Sequence, residues 1–305
     1  MGQVLIKPIS FICMILLGYL MKRAGLFGPT DYKILSKIVL NVTIPCAAIV
    51  SFAAYQPDLS VFLVALLGFG MNGLMLVIAY FTSTKQFRQS RAVWLNCIPG
   101  YNIGSFAMPF VQSFLSPASL VGTCLFNAGN ALMCNGTTFA ISKNILDGTK
   151  GLNLKYIGKT LLRSVPFLVQ FFLLIISLFR IPIPDVVVSF VKPAANANAF
   201  VAMMMVGMMF NPKIEKSCMR EIGGILAIRY IVAAIAAAVF YFLLPLPLEI
   251  RQALAVTVFA PVGTVATALS PTIGGDPAVA AGANSLSIPI SICCMIGLLA
   301  AFGIL

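Results

Sequence analysis

Two stretches of this chain place proline, glycine and small polar residues in the middle of otherwise apolar sequence. The first runs Cys97-Ile98-Pro99-Gly100-Tyr101-Asn102-Ile103-Gly104-Ser105-Phe106-Ala107-Met108-Pro109, and the second Phe259-Ala260-Pro261-Val262-Gly263-Thr264-Val265-Ala266-Thr267-Ala268-Leu269-Ser270-Pro271. Prolines remove backbone donors and glycines admit dihedrals that other residues resist, so the first helix should open around Asn102. An opened helix presents N–H groups that favour an anion, and the Asn102 amide both donates and accepts. Such a place can bind a carboxylate without a buried basic residue. The second stretch reads as a single proline kink at Pro261 with small neighbours, contributing mainly backbone. Gly104, Ser105, Pro261, Gly263 and Thr264 flank the two breaks and complete the expected site. The hydroxyls of Ser105, Thr264 and Thr267 could also supply oxygens to a sodium ion, which keeps a sodium-coupled carrier as the alternative.

The elements that must hold these residues are membrane helices. With 305 residues, 60% of them hydrophobic and 9% charged, and a mean hydropathy of +1.01, the chain is an integral membrane protein. Apolar runs between charged or turn-rich breaks give ten spans, at about 4–21, 35–54, 60–82, 92–114, 118–141, 161–179, 186–210, 223–245, 248–269 and 279–303. The two breaks fall in spans four and nine. Matching discontinuous helices point to a transporter's binding site, because unwound backbone at bilayer depth survives only where protein or a watery cavity satisfies it.

Fifteen of the 20 Lys and Arg lie on the side of the loops joining spans one to two, three to four, five to six and seven to eight. That bias places those loops in the cytoplasm and both termini outside. The net charge of +12 is explained by this asymmetry rather than by nucleic acid. Arg229 is the one charge clearly inside a span, about a turn and a half in, and is expected to snorkel to the cytoplasm. Ten spans divide as five and five, and five is odd, so a repeat would be inverted: 1–142, a linker at 143–160, and 161–305. The expected fold is therefore all-α, ten helices in a five-plus-five inverted repeat with broken, crossing helices four and nine.

The inventory excludes several chemistries. Histidine is absent, the eight cysteines have no CxxC spacing, and no acidic residue falls in mid-span. A metal site, a cofactor, a carboxylate-relay proton pump and an intramembrane enzyme are not expected. A passive channel also tolerates broken helices, and saturation separates it from a carrier. Most in-span asparagines read as interhelical hydrogen-bonding groups. Asn41 and Asn130 stand out because spans two and five can border the broken helix.

At Asn102-Ile103-Gly104-Ser105-Phe106-Ala107-Met108-Pro109 the chain resembles the auxin efflux carrier family, which includes plant PIN carriers and bacterial malonate-type transporters. The likeness extends through Leu17-Gly18-Tyr19-Leu20, Lys22-Arg23-Ala24-Gly25-Leu26, Leu35 to Pro45, Phe259-Ala260-Pro261 and Gly274-Gly275-Asp276-Pro277. The resemblance implies a scaffold of spans one, two, six and seven, and a transport domain of the others. It also implies homodimerisation through the scaffold and elevator-like movement. The family's binding asparagine carries over to Asn102, its crossover prolines to Pro109 and Pro261, and its polar span-five position to Asn130. Asn41 stands where plant members have lysine, Val262 replaces a polar residue, and the long cytoplasmic loop is only the short basic linker. These departures point away from auxin and toward small organic anions, in a bacterial inner membrane.

Overall fold

The computed structural model describes residues 2–57, 59–148, 158–159, 162–212 and 214–305. Asp58, Lys213 and most of the linker expected at 143–160 lie outside them. The described residues are helical, with one isolated β-bridge between Tyr101 and Val262. In chain order they form α1 (Gly2–Arg23), α2 (Tyr32–Ala54) and α3 (Leu63–Thr82), then α4 (Arg88–Cys97), α5 (103–114) and α6 (117–147). The second half gives α7 (Val165–Leu178), α8 (Asp185–Met209), α9 (Met219–Leu243), α10 (Leu248–Thr257), α11 (Thr264–Leu269) and α12 (Pro277–Ala301).

Five stretches are each long and apolar enough to cross a membrane: α2, α3, α8, α12, and α9 with its preceding turn, from Lys216. The ten apolar runs all fall on these helices, with boundaries shifted where local chemistry dictates. Helix α7 starts at Val165 rather than 161, with Pro166 in its first turn, where a missing N–H costs nothing. Helix α6 runs on to Asp147 and closes at Gly148, whose φ of +67° suits glycine. Acidic residues sit at helix starts, where the dipole favours them: Asp185, Glu221 and Glu249 in first turns, and Asp276 accepting from the Ala278 N–H at 2.8 Å.

Three helices carry a π-turn, at 39–43 in α2, 103–107 in α5 and 133–137 in α6. Pro45 and Pro109 follow the first two, and a proline cannot donate to the carbonyl four residues back, so the wider turn absorbs the gap. In α6 the Thr137 hydroxyl donates to the Leu132 carbonyl at 2.7 Å.

Helix pairing follows close approach. Helix α1 packs along α8, which packs on α2, and α2 on α7; α3 packs along α6, α6 on α10, α10 on α9, and α9 on α12. The tightest pairs meet at glycine. A Cβ on Gly207 would stand 1.9 Å from the Ile15 carbonyl oxygen, and one on Gly129 1.7 Å from that of Ala65. Without hydrophobic drive between helices in lipid, backbone proximity of this kind supplies the packing. Between the α1/α2/α7/α8 group and the rest, α2 packs on α6, and specific side-chain contacts add to it. Gln112 of α5 donates to the Ala195 carbonyl at 2.9 Å and accepts from Asn198 at 2.7 Å, while Asn198 accepts from Thr43 at 2.7 Å. Phe11 of α1 meets Phe110 and Phe114 of α5 at 5.6 and 5.1 Å between ring centres.

Replacing Gly129 by alanine should therefore destabilise the protein by about 1–3 kcal/mol, read as a lower unfolding midpoint in detergent. Gly73→Ala, on α3 where a Cβ meets nothing within 4 Å, should leave the midpoint unchanged or raise it.

Candidate functional site

Both broken helices open fully and cross. Helix α4 ends at Cys97 and the chain resumes as α5 at Ile103; α10 ends at Thr257 and α11 begins at Thr264. The second break is thus complete, not the single proline kink its sequence implies, because its backbone pairs with the first. The Asn102 N–H donates to the Pro261 carbonyl at 2.9 Å, and the Gly263 N–H to that of Gly100 at 3.1 Å. Tyr101 and Val262 stand opposite one another, antiparallel. Gly100 is required here: a Cβ would lie 2.4 Å from that of Ala266.

Several further backbone groups of the crossing are met by side chains. The Val262 N–H donates to the Ser287 hydroxyl at 3.0 Å, and the Asn284 amide donates to the Val262 carbonyl at 2.6 Å, both from α12. Asn72 of α3 donates to the Pro99 carbonyl at 2.9 Å. Arg229 takes three more, and here the expectation of snorkelling is overturned. It is buried, 2% exposed, near the middle of α9. Its guanidinium donates to the carbonyls of Cys97 at 2.9 Å, of Ile98, and of Ala260 at 3.0 Å, and lies 4.7 Å from the Tyr101 ring centre. At and just past the C-terminal ends of α4 and α10 the carbonyls of Cys97, Ile98 and Ala260 have no helical donor, and they hold the cation where water otherwise would.

Beside the crossing lies a cavity of about 230 Å³. Its wall includes Asn102, Gly104 and Ser105 of the first break and Gly263, Thr264 and Val265 of the second. Helix α2 adds Leu40, Asn41 and Ile44; α6 adds Asn127, Asn130, Cys134 and Thr138; and Ser164 with Pro166, Phe167 and Gln170 closes the far side. No Lys, Arg, Asp or Glu is among the lining residues. The Asn102 side chain is 7% exposed and Ser105 4%, and neither side chain hydrogen-bonds to the described residues. The N–H groups of Gly104, Ser105, Thr264 and Val265 likewise have no acceptor among them. The wall thus offers free donors, as helix starts do.

Of the residues expected from sequence, Asn41, Asn102, Gly104, Ser105, Asn130, Gly263 and Thr264 come together on this wall. Pro261 contributes its carbonyl to the crossing but not its side chain to the cavity. Pro109 lies buried in α5, past the crossing, and does not line it. Thr267 is also off the wall, its hydroxyl donating to the Thr264 carbonyl at 2.9 Å. Among the sodium candidates, Ser105 and Thr264 alone reach the cavity.

Most in-span asparagines do hydrogen-bond between helices as expected, but sequence reasoning missed which of them pair, and it missed the far wall. Asn72 donates to Asn130 at 2.8 Å and accepts from the Thr138 hydroxyl at 3.0 Å, with Cys134 3.4 Å from the Asn130 oxygen. This cluster fixes the Asn130 carbonyl oxygen away from free rotation and braces Pro99. Gln170, 2% exposed, accepts from Asn127 at 3.4 Å across the cavity. All three π-turns also contribute lining residues: Asn41, Gly104 with Ser105, and Cys134. The two prolines four residues after Asn41 and Ser105 were the available signal.

Residues 4–146 match the family described as membrane transport protein. The first half of this chain resembles a family of transporters. That match bears out the resemblance to auxin efflux carriers over α1 to α6, which carry Asn41, Asn102, Ser105 and Asn130. The chain is also 26% identical over 131 residues to an uncharacterized transporter of Methanothermobacter thermautotrophicus. The alignment covers 41% of this chain and 43% of that protein.

Asn284→Ala should leave the Val262 carbonyl without a donor and cost about 1–3 kcal/mol. A lowered thermal midpoint is the expected result, larger than that of Asn96→Ala, whose amide donates only to Ala92 of its own helix.

Proposed function

We propose that the protein is a secondary transporter for a small organic anion, recognised by its carboxylate at the crossing of the two broken helices. The observation that carries this reading is the unpartnered Asn102 amide, buried beside the free N–H groups of Gly104 and Ser105, in a wall without acidic side chains. A carboxylate accepts hydrogen bonds only, so it complements such a wall, and hydrogen bonds to a charged acceptor are about twice as strong as neutral ones. The cavity's 230 Å³ suits a small acid. Transport rather than capture is supported by the family match over residues 4–146.

The ten helices are read as two inverted five-helix repeats, α1 to α6 and α7 to α12, with the basic loops cytoplasmic. Alternating access is read as an elevator in which α3–α6 and α9–α12 move against α1, α2, α7 and α8. Helix pairing supports that division, since glycine-mediated contacts lie within each group and hydrogen bonds through Gln112, Asn198 and Gln170 bridge them. A homodimer in a bacterial inner membrane, formed through α1, α2, α7 and α8, completes the reading.

Asn102→Ala should abolish carboxylate uptake into proteoliposomes while expression and monodispersity stay intact. Uptake at the wild-type rate, or unsaturable flux of many thousands of molecules per second, would sink the reading. Asn198→Ala removes a bridge between the two groups but no cavity contact. It should change the maximal rate of uptake several-fold while leaving apparent affinity within about two-fold.

A further inference from the structure

The cavity is lined by uncharged groups, yet a cation stands directly behind its wall. Arg229 is 2% exposed, and among the described residues no carboxylate lies within ion-pair distance of it; the ion pair present is Arg88 with Asp147. Glu221, earlier on the same helix, is engaged by the Ser90 hydroxyl at 3.0 Å. A charge at membrane depth costs about 2.5–3.5 kcal/mol even on insertion scales, so a structural tie alone would be served more cheaply by an amide, as Asn284 serves Val262.

What a guanidinium does and an amide does not is cancel charge. The C-terminal ends of α4 and α10 each carry the equivalent of about half a negative charge, and Arg229 donates at the end of the first, to Cys97 and the following Ile98, and just beyond the end of the second, to Ala260 three residues past Thr257. Uncancelled, those ends would project negative potential onto Asn102 from a few residues away. We propose that Arg229 is a positioning residue of this site: from outside the cavity it neutralises the two negative helix ends, leaving the Asn102 amide and the start of α5 as an electropositive pole for a carboxylate. The inference rests on reading this cavity as the transport site, and it assigns the site's anion preference to a residue that never touches the substrate.

A thiol probe reads the local potential without any substrate. Val265 lines the cavity and is 45% exposed. In Val265→Cys, site-resolved mass spectrometry gives the rates of modification by an anionic reagent, sulfonatoethyl methanethiosulfonate, and a cationic one, the trimethylammonioethyl analogue. Each rate is normalised to that with a free thiol. Because removal of a unit charge acts oppositely on the two reagents, Arg229→Gln should lower the anionic-to-cationic ratio by about ten-fold, and Arg229→Lys should keep it. An unchanged ratio in a folded, monodisperse Arg229→Gln protein overturns the inference. Should the glutamine variant not fold, the ratio at Val265→Cys is compared with that at Thr272→Cys, an exposed position beyond α11. A several-fold higher ratio at 265 is expected, and equality overturns the inference. Carboxylate uptake by the wild-type protein is scored separately. A ratio that responds to Arg229 without any carboxylate uptake would leave this electrostatic role standing and remove the transport reading; uptake with an indifferent ratio would do the reverse.

Discussion

Everything in this structure depends on one requirement: backbone N–H and C=O groups taken out of a helix at membrane depth need partners, since hydrocarbon offers none. The chain opens two helices and meets the requirement by setting the openings against each other. Asn102 and Gly263 exchange hydrogen bonds with Pro261 and Gly100, which makes the one antiparallel bridge among the described residues. The groups this bridge cannot reach dictate what must surround it. Helix α12 lies behind Val262 because Ser287 and Asn284 serve both of its backbone groups; α3 lies beside Pro99 because Asn72 does the same there; and α9 lies behind both breaks because Arg229 spans them. The arrangement of helices is, in this sense, a solution to a hydrogen-bonding problem posed by a few prolines and glycines.

Those prolines and glycines were visible in the sequence, and so were the helices. Hydropathy located the apolar runs that fold as helices, five of which are long and apolar enough to cross a membrane, and Pro99, Gly100, Gly104 and Pro261 marked the openings, since their backbone limits act locally and need no knowledge of the fold. What escaped depended on partners that exist only after folding. Arg229 resembles a snorkelling residue because its distance from the helix end permits it; the three carbonyls that hold it belong to residues 31 to 132 positions away. Span nine resembles a kinked helix because Pro261 and Gly263 alone do not break one, and the strand that completes the break comes from residues 100–102. Gln170 carried no signal at all, being a lone amide in an apolar run. Pro109 carried a misleading one: its effect is a π-turn at 103–107 that presents Gly104 and Ser105, while the crossing itself sits earlier in the chain.

Two kinds of packing divide the molecule. Within each helix group, glycines bring backbones so close that no methyl group fits, which fixes register and resists sliding. Between the groups, the packing of α2 on α6 is joined by amide pairs and the Phe11, Phe110 and Phe114 rings. Amide pairs and rings can be exchanged for other partners after a displacement, whereas an interlocked backbone cannot. Backbone-close contacts thus lie inside each helix group, and side-chain contacts that can change partners lie between them.

The cavity wall therefore has two owners. The crossing and α6 present the polar pole, tied into the hydrogen-bonded frame that keeps two helices open, while Leu40, Ile44 and Phe167 approach from the other group and take no part in that frame. Substitution of the residues that hold the crossing, Asn72, Ser287 and Asn284 among them, disturbs the fold, whereas substitution of the apolar side chains on the second face reshapes only the space beside it. On the reading proposed above, a lineage could keep one end of its cargo constant and diversify the other by changing a handful of apolar side chains on α2 and α7, without touching the hydrogen bonds that hold the crossing.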